Sequence, residues 1–147
     1  VVLLGIHNRG VPIAQRLKKF LKDLTDIDVP SGSLDITFHR DDFRERLTMP
    51  EIKGTDINFD LDGKIVILVD DVLYSGRTVR AALDEINSFG RPSIIALAVL
   101  IDRGHRELPI RADFVGKNIP TNTGEHVAVR LKESDAEEGV FLLYGHE

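Results

Sequence analysis

One uninterrupted apolar run followed at once by two carboxylates constrains the fold of this chain more than any other feature. Ile65 to Val69 contains no polar residue, as expected of a central parallel strand that is covered on both faces. Asp70 and Asp71 follow directly, and they begin a predicted loop that continues to Arg77. The apolar residues after this loop recur at helical spacing, so they predict the core face of a helix: Val79, Ala82, Leu83 and Ile86.

The rest of the chain repeats the order strand, loop, helix. This order predicts an α/β fold with a mainly parallel central sheet flanked by helices. Strands are expected at Val1 to Leu4, Ser33 to His39, Ile94 to Ile101, His126 to Leu131 and Val140 to Tyr144, and a turn at Val29 to Gly32. A helix beginning near Pro12 should bury one face. That face carries Ile13, Leu17, Phe20, Leu21 and Leu24, and the chain after Asp102 is expected to be irregular.

Composition bounds the class of protein. We expect residues 1–147 to form a single domain, because this length can bury a substantial core. The absence of cysteine excludes disulfides, thiol catalysis and cysteine metal sites, and it favours a cytoplasmic protein. A net charge of −5 argues against broad non-specific nucleic-acid binding but leaves room for a local basic patch. No apolar run approaches the length of a membrane helix, so no membrane partner is expected.

The loop after the apolar strand has the chemistry of a sugar-phosphate site. Free N–H groups and the helix dipole favour a phosphate where the loop enters the helix, and Ser75 and Thr78 add hydroxyl donors. Asp70 and Asp71 are suitable acceptors for the cis hydroxyls of a ribose. The alternative is that the two carboxylates only cap the next element. Neither GxGxxG nor GxxxxGKS occurs, which disfavours nicotinamide cofactors and P-loop nucleotides.

Two other segments are candidates for function. Gly5 to Gly10 contains Arg9 between two glycines and predicts a second anion site, although a plain strand-to-helix turn is the alternative. Arg40 to Asp56 is long and polar, which is typical of a mobile lid, and the alternative is a solvated charged loop. Glu133 to Glu138 is interpreted as a solvated turn. Surface or packing roles are expected for His39, His126 and His146.

The Val66 to Thr78 segment resembles the phosphoribosyl pyrophosphate (PRPP) motif of type I phosphoribosyltransferases. The resemblance implies the type I phosphoribosyltransferase fold with a small hood, and Mg²⁺ held through the substrate near Asp70 and Asp71 with no direct protein ligand. It implies that these two aspartates hold the ribose hydroxyls, that Arg9 contacts the leaving pyrophosphate, and that these three residues are catalytic. The 5-phosphate would be cradled by Val72, Leu73, Tyr74, Ser75, Gly76, Arg77 and Thr78, and further PRPP contacts would come from Asn8, Gly10 and Arg40.

Later segments resemble the PyrR family, whose members attenuate pyrimidine operons and are also uracil phosphoribosyltransferases. The resemblance lies in Leu34 to Asp42, Gly90 to Leu100 and Val99 to Thr121. It implies conversion of uracil and PRPP to uridine monophosphate (UMP) and pyrophosphate, binding to pyrimidine-operon leader mRNA, and a homodimer or higher homo-oligomer. It further implies N-terminal helical residues that precede this sequence. A uracil hood would comprise Val99, Leu100, Ile101, Asp102 and Arg103, and an RNA surface would comprise His105, Arg106, Arg111 and Lys117.

Three other functions stay open at this level. The chain could act chiefly as an RNA-binding regulator that retains transferase activity, or its base could be a purine or orotate without an RNA role. A non-enzymatic phosphoprotein-binding domain is the third. Charge alone favours a solvated surface over an RNA site, because Ile101 to Pro120 contains four Lys or Arg against three Asp or Glu.

Overall fold

The apolar run becomes the middle strand of a parallel five-stranded sheet. The computed structural model describes residues 1–37 and 54–145. The sheet has the strand order β2-β1-β3-β4-β5, and an antiparallel hairpin of β6 and β7 accompanies it. The elements are β1 Val2–Ile6, α1 Gly10–Thr25, β2 Ser31–Leu34, β3 Ile65–Leu73, α2 Arg77–Ile86, β4 Ile94–Asp102, β5 Phe114–Asn118, β6 Glu125–Arg130 and β7 Gly139–Tyr144.

The two helices cover opposite faces of the sheet. Since side chains alternate along a strand, Leu68 and Val69 of β3 belong to different clusters. Leu68 packs in the larger cluster with Val79 of α2, whereas Val69 packs with Ala14 of α1. This double cover explains the continuous apolar composition of β3 and confirms the predicted parallel α/β fold.

The chain reverses its direction of winding between β1 and β3. After β1 the connection through α1 leads to β2 on one side, and after β3 the connection through α2 leads to β4 on the other. The carboxyl ends of β1 and β3 therefore flank a topological switch point, where open α/β sheets bind their ligands. Both predicted anion loops follow these two strands.

The β6–β7 hairpin is attached to the end of the sheet by a small apolar cluster. Val129 and Leu131 are buried there with Ile101, and Ile13 of α1 packs against them. The hairpin confirms the two predicted closing strands, with bounds shifted by at most one residue. None of the helices in the described ranges combines the length and apolar content required to span a bilayer.

Three predictions about strand positions were wrong. The strand expected at Ser33 to His39 ends at Leu34 as part of β2, and residues 35–37 are not in a strand. Ser31 and Gly32 lie in β2 instead of a turn, because parallel pairing with Leu3 and Leu4 recruits them into the sheet. Phe114 to Asn118 forms β5 instead of irregular chain, because it pairs with β4. Its exposed Phe114 and Lys117 hide the alternation that sequence reasoning depends on.

The loop predicted from Asp70 to Arg77 is shorter than expected. Strand pairing continues past the aspartates, with Val72 opposite Ile101 and Leu73 opposite Asp102. Only residues 74–76 separate β3 from α2. The aspartates are therefore held by the sheet itself, which fixes their positions more firmly than a loop would.

The predicted apolar face of α1 was too wide. Ile13, Leu17 and Leu21 pack against the sheet cluster, as expected. Phe20 and Leu24 were also assigned to this face, but their side chains are exposed, Leu24 by 82%. The helix touches the sheet along a narrower stripe, so apolar residues at its margin stay in solvent.

These burial differences predict very different costs of truncation. Leu68→Ala should lower the free energy of unfolding by about 2–5 kcal/mol, because it opens a cavity in a fully buried cluster. Leu24→Ala should change it by less than about 0.5 kcal/mol. Denaturant titration of both variants checks the assignment, and equal losses would contradict the packing of α1 described above.

Candidate active site

The turn between β3 and α2 brings a glycine and two hydroxyl side chains to a helix start. Gly76 precedes α2 with φ 96°, a left-handed conformation that other residues rarely adopt. The Ser75 hydroxyl accepts a hydrogen bond from the Arg77 N–H at 3.2 Å, and Thr78 is exposed in the first turn. The first N–H groups of a helix lack partners within it, so this turn is suited to an anion.

The segment 106–108 holds this turn through hydrogen bonds to the carbonyl oxygens of the turn. The Ser75 carbonyl accepts hydrogen bonds from the N–H groups of Glu107 (2.9 Å) and Leu108 (3.0 Å). The Tyr74 carbonyl accepts one from the Arg106 guanidinium at 2.8 Å. The turn is therefore held by the chain that follows β4, which sequence spacing did not indicate.

Asp70 and Asp71 occupy different environments although they are neighbours. Asp70 is only 7% exposed, and its carboxylate accepts the Asp71 N–H at 2.8 Å. Asp71 is half-buried, and its carboxylate accepts the Val72 N–H at 2.7 Å. Burial, followed by the charge of Asp71, raises the pKa of the Asp70 carboxyl well above its usual range. Polar partners that donate to Asp70 would relieve this unfavourable burial.

The loop after β1 lies directly against the end of β3. An added Cβ on Gly10 would lie 2.3 Å from the Val69 carbonyl oxygen and 3.2 Å from the Asp70 Cα, so only glycine fits this approach. The His7–Asn8 peptide bond in this loop is cis. The His7 Nε2 lies 2.8 Å from the Gly54 carbonyl oxygen, which connects the loop to the first described residues after position 53.

A cavity of about 480 Å³ opens on the β1 loop. Its lining comprises His7, Asn8, Arg9, Val11, Pro12, Glu133 and Ser134. The Arg9 Nη2 donates to the Asp135 carboxylate at 2.7 Å, while its Nε is buried without a hydrogen-bond partner among the described residues. The guanidinium thus lies at the cavity with unused donors, which agrees with the predicted anion-binding role of this loop.

Arg9 and the acidic stretch meet at the cavity. Glu133 to Glu138 is a largely exposed turn, as interpreted from the sequence, and it also forms ion pairs. Glu133 and Glu138 both accept hydrogen bonds from Arg16 of α1, and Asp135 accepts from Arg9. Arg9 and Arg16 are seven residues apart, the spacing of one helix face. The sequence signal for these contacts was two arginines at helical spacing together with an acidic run late in the chain.

The predicted uracil hood divides into buried and edge residues. Val99 and Ile101 are buried in β4, so their side chains belong to the core clusters. Asp102 ends the strand and accepts hydrogen bonds from the Gly104 N–H and the Arg106 guanidinium. The Arg103 guanidinium lies over the Tyr74 ring, with its central carbon 4.0 Å from the ring centroid. Leu100 is half-buried beside them.

Arg103 joins the turn after β3 to the hairpin. Its Nη2 donates to the Glu125 carbonyl at 2.6 Å and its Nε to the Thr121 hydroxyl at 3.2 Å. Stacking on Tyr74 adds a cation–π contact. These contacts make Arg103 a bridge between Tyr74, in the turn before α2, and the start of β6.

The four residues predicted to contact RNA differ in their exposure and in their hydrogen bonds. Arg106 donates to the Ile110 carbonyl, the Tyr74 carbonyl and the Asp102 carboxylate, so its guanidinium is committed within the chain. The His105 Nε2 lies 2.6 Å from the Thr121 carbonyl oxygen. Arg111 and Lys117 are exposed. Their surface position leaves them accessible to a charged partner.

Several predicted features fall outside the described residues. Arg40, His39, His146 and most of the proposed lid are among them. Of the lid, residues 54–56 are described. Asp56 pairs with Ser33 by two backbone hydrogen bonds, and the Thr55 hydroxyl accepts the Asp35 N–H and donates to the buried Glu85 carboxylate. The carboxyl end of the predicted lid is thus anchored beside β2.

Comparison with known proteins agrees with this geometry. A family model described as phosphoribosyl transferase domain matches residues 1–134. The chain is 59% identical over 143 residues to a protein named Bifunctional protein PyrR from Pelotomaculum thermopropionicum, covering 97% of this chain and 79% of that protein. The protein of the same name from Thermus thermophilus is 56% identical over 142 residues, covering 97% and 78%.

Solved structures share the fold. A purine phosphoribosyltransferase from Pyrococcus horikoshii superposes with a TM-score of 0.60 and 27% identity, covering 80% of this chain and 70% of that one. A hypoxanthine phosphoribosyltransferase from Trypanosoma cruzi gives a TM-score of 0.71 at 19% identity, covering 99% and 77%. At that identity the second likeness shows the fold alone.

The buried carboxylate predicts an unusual dependence of stability on pH. Since its pKa is raised by folding, Asp70 disfavours the folded state increasingly as pH rises above the pKa of an unfolded aspartate, about 3.9. Asp70→Asn should therefore raise the free energy of unfolding at pH 7, and the gain should shrink towards pH 4. Denaturant titrations at both pH values measure it.

A matched control separates burial from net charge. Asp23→Asn makes the same charge change at an exposed position of α1. It should leave the pH profile of stability close to that of the wild type. A destabilised Asp70→Asn variant at pH 7 would show that the buried carboxylate is compensated in the folded protein.

Proposed function

Since the chain belongs to the phosphoribosyl transferase domain family and, within it, to the PyrR family, we propose that it transfers the phosphoribosyl group of PRPP to uracil. The products are UMP and pyrophosphate. The observation that carries this proposal is the contact of the β1 loop with β3 at Gly10, which sets two anion-binding loops side by side at the switch point. A substrate with a phosphate at one end and a pyrophosphate at the other fits this pair of loops.

The 5-phosphate is assigned to the turn that leads into α2. The helix N-terminus supplies backbone donors, and Ser75 and Thr78 supply hydroxyl groups there. Arg77 is exposed beside them and forms an ion pair with Glu107 at 2.7 Å. Its charge supports an anion at this turn without requiring direct contact.

The ribose is assigned to the two aspartates. The carboxylates accept hydrogen bonds from the 2- and 3-hydroxyl groups, and these hydrogen bonds would relieve the unfavourable burial of Asp70. As the C1–pyrophosphate bond breaks, positive charge develops on the sugar. The neighbouring carboxylates stabilise that charge, and positioning supplies much of the remaining acceleration.

The leaving pyrophosphate is assigned to Asn8, Arg9 and Gly10 on the β1 loop. The position of Arg9 in the lining of the cavity supports this assignment. Carboxylate oxygens are ligands that Mg²⁺ prefers, so Asp70 and Asp71 fit a magnesium ion held mainly by substrate oxygens and water. When bound, that ion neutralises charge on the departing pyrophosphate.

The base is assigned to the edge formed by Asp102 and Arg103. Uracil N1 forms the new bond to C1 as the pyrophosphate oxygen leaves it, and the N1 proton is released. The stacking of Arg103 on Tyr74 connects this edge to the phosphate turn, which favours coordinated binding of base and sugar phosphate. A purine or orotate is the competing base, and it is tested below.

A second role follows from the same family membership. We infer that the chain also binds pyrimidine-operon leader mRNA, with the uridine nucleotide product as its signal. The exposed Arg111 and Lys117 are the surface contacts that support this role, since exposed cations bind phosphates without losing internal partners. We expect a homodimer or higher homo-oligomer, which light scattering would determine.

The transferase proposal predicts a severe loss of turnover when the sugar-phosphate contacts are removed. Asp71→Asn and Thr78→Ala should each lower kcat/KM about 10²-fold or more, since the contacts they remove act on the reacting sugar phosphate. Pyrophosphate release from PRPP with uracil measures the effect. Hypoxanthine and orotate serve as competing bases, and a preference for either would contradict the assignment of uracil.

Folding controls make that result interpretable. Both variants replace partly or fully exposed side chains, so their unfolding midpoints should match the wild type within a few degrees. Near-normal turnover in either variant would overturn the placement of the ribose phosphate on this turn.

The regulatory role predicts separable effects on RNA. Arg111→Ala and Lys117→Ala should each weaken binding to leader RNA by a similar factor for all RNA sequences. Each should also reduce the slope of log binding constant against log salt concentration by about one. Turnover with uracil should stay unchanged. Filter binding at several salt concentrations measures the slopes, and loss of turnover with intact RNA binding would show that the two faces are reversed.

Arg106 is a poor probe of that surface. Arg106→Ala removes three hydrogen bonds that hold Tyr74, Ile110 and Asp102, so it should disturb the phosphate turn as well. A fall in turnover for this variant is the expected result, and it distinguishes a structural arginine from the exposed cations.

A further inference from the structure

We propose that Asp135 is a positioning residue for Arg9, holding its guanidinium at the pyrophosphate end of the site. The inference rests on the transferase function proposed above, because it concerns the anion that Arg9 would bind. It assigns a role to an acidic segment that the reaction itself does not use. The segment is named the acidic clasp here, and it comprises residues 131–138 between β6 and β7.

The contact between Asp135 and Arg9 is direct and partly shielded from water. The Arg9 Nη2 lies 2.7 Å from the Asp135 Oδ1, and their side chains are 35% and 16% exposed. These residues are 126 positions apart in the chain, so only the fold brings them together. An ion pair that is partly withdrawn from solvent restrains its side chains more than one at the surface does.

The Asp135 carboxylate is itself fixed before it meets Arg9. Its Oδ2 accepts the Leu131 N–H at 2.8 Å and the Ser134 hydroxyl at 3.2 Å. The hydrogen bond from the Leu131 N–H and then that from Arg9 lower the pKa of Asp135. The carboxylate therefore stays ionised at neutral pH, and one of its oxygens is reserved for the arginine.

The acidic clasp is attached to α1 at a second point. Arg16 donates to Glu133 at 2.9 Å and 2.6 Å through two nitrogens, and to Glu138 at 2.6 Å. Leu131, the first residue of the clasp, is buried in the cluster that contains Ile101. Two ion-pair sites and an apolar anchor thus fix the clasp against the start of α1, where Arg9 lies.

The geometry favours positioning over neutralisation. A guanidinium carries five N–H donors, and Asp135 takes one of them, while the buried Nε has no partner among the described residues. Arg9 lines the cavity together with His7, Asn8 and Ser134, so its terminal nitrogens are the donors nearest to a bound anion. A long side chain that is already held in one rotamer has less conformational entropy to lose when the anion binds, so binding costs less free energy.

An opposite effect of Asp135 on the affinity for the anion is the alternative, and experiment can distinguish the two. If Asp135 acted mainly as a competing counter-ion, its removal would free a positive charge and tighten binding of an anion. If Asp135 positions Arg9, removal of its carboxylate must weaken binding of the anion instead. The two roles therefore predict shifts of affinity in opposite directions for the same substitution.

The test compares Asp135→Asn, Asp135→Glu and Glu138→Gln. Asp135→Asn keeps an oxygen acceptor for the Leu131 N–H but loses the charge that holds Arg9. Glu138→Gln is the matched control, because it weakens the same clasp through Arg16 without touching Arg9. Titration calorimetry with magnesium pyrophosphate gives affinity, circular dichroism at the same temperature gives the folded fraction, and steady-state kinetics give KM for PRPP and kcat.

Positioning predicts about tenfold weaker pyrophosphate binding and a similar rise in KM for PRPP in Asp135→Asn, the scale expected when one charge-assisted contact is loosened. The kcat should change less than KM. Asp135→Glu should recover part of the affinity, and Glu138→Gln should lower the unfolding midpoint while leaving affinity unchanged.

Each contrary result has a distinct meaning. Equal or tighter pyrophosphate binding in a folded Asp135→Asn protein overturns the positioning role, and so does an equal loss of affinity in Glu138→Gln. If Asp135→Asn is not folded, the affinity of Asp135→Glu decides, since wild-type affinity with a displaced carboxylate would contradict positioning. A wild-type protein that binds magnesium pyrophosphate but does not turn over uracil contradicts the proposed transferase function instead, whereas no pyrophosphate binding contradicts both.

Discussion

The contact of Gly10 with the end of β3 is the constraint on which the rest of the site depends. The Val69 carbonyl occupies the space that any side chain at position 10 would need, so the loop after β1 lies against the backbone of β3. The switch in winding direction at these strands leaves a crevice above them. Under the proposed function, Arg9 on one loop and the two aspartates on the neighbouring strand contact the same substrate.

The sheet fixes the position of Asp70 but makes ionisation of its carboxyl unfavourable. β3 continues through Asp70 to Leu73, and this pairing buries a carboxylate whose charged form is disfavoured there. A mobile loop would solvate the same group but would not fix it. Under the proposed function this burial is useful, because a fixed acceptor that is already stripped of water binds sugar hydroxyls better than a solvated one.

Cationic side chains near the site are divided between internal bracing and surface contact. Arg103 and Arg106 connect the phosphate turn to the chain after β4, and Arg16 attaches the acidic clasp to α1. Arg111 and Lys117 stay exposed. Lys and Arg counts in this region predict little about RNA binding, because hydrogen-bond geometry decides which charges remain available to a partner.

The sequence by itself determined the parallel α/β class, the central strand and the position of the glycine turn that begins α2. Those features depend on local patterns: the apolar run before Asp70 and the Ser-Gly-Arg-Thr run after it. Tertiary structure alone decided that Ser31 and Phe114 to Asn118 join the sheet, that Phe20 and Leu24 stay in solvent, and that Asp135 meets Arg9. The physical reason is that strand pairing, the width of a buried stripe and ion pairs between distant residues depend on neighbours in space, which local periodicity does not encode.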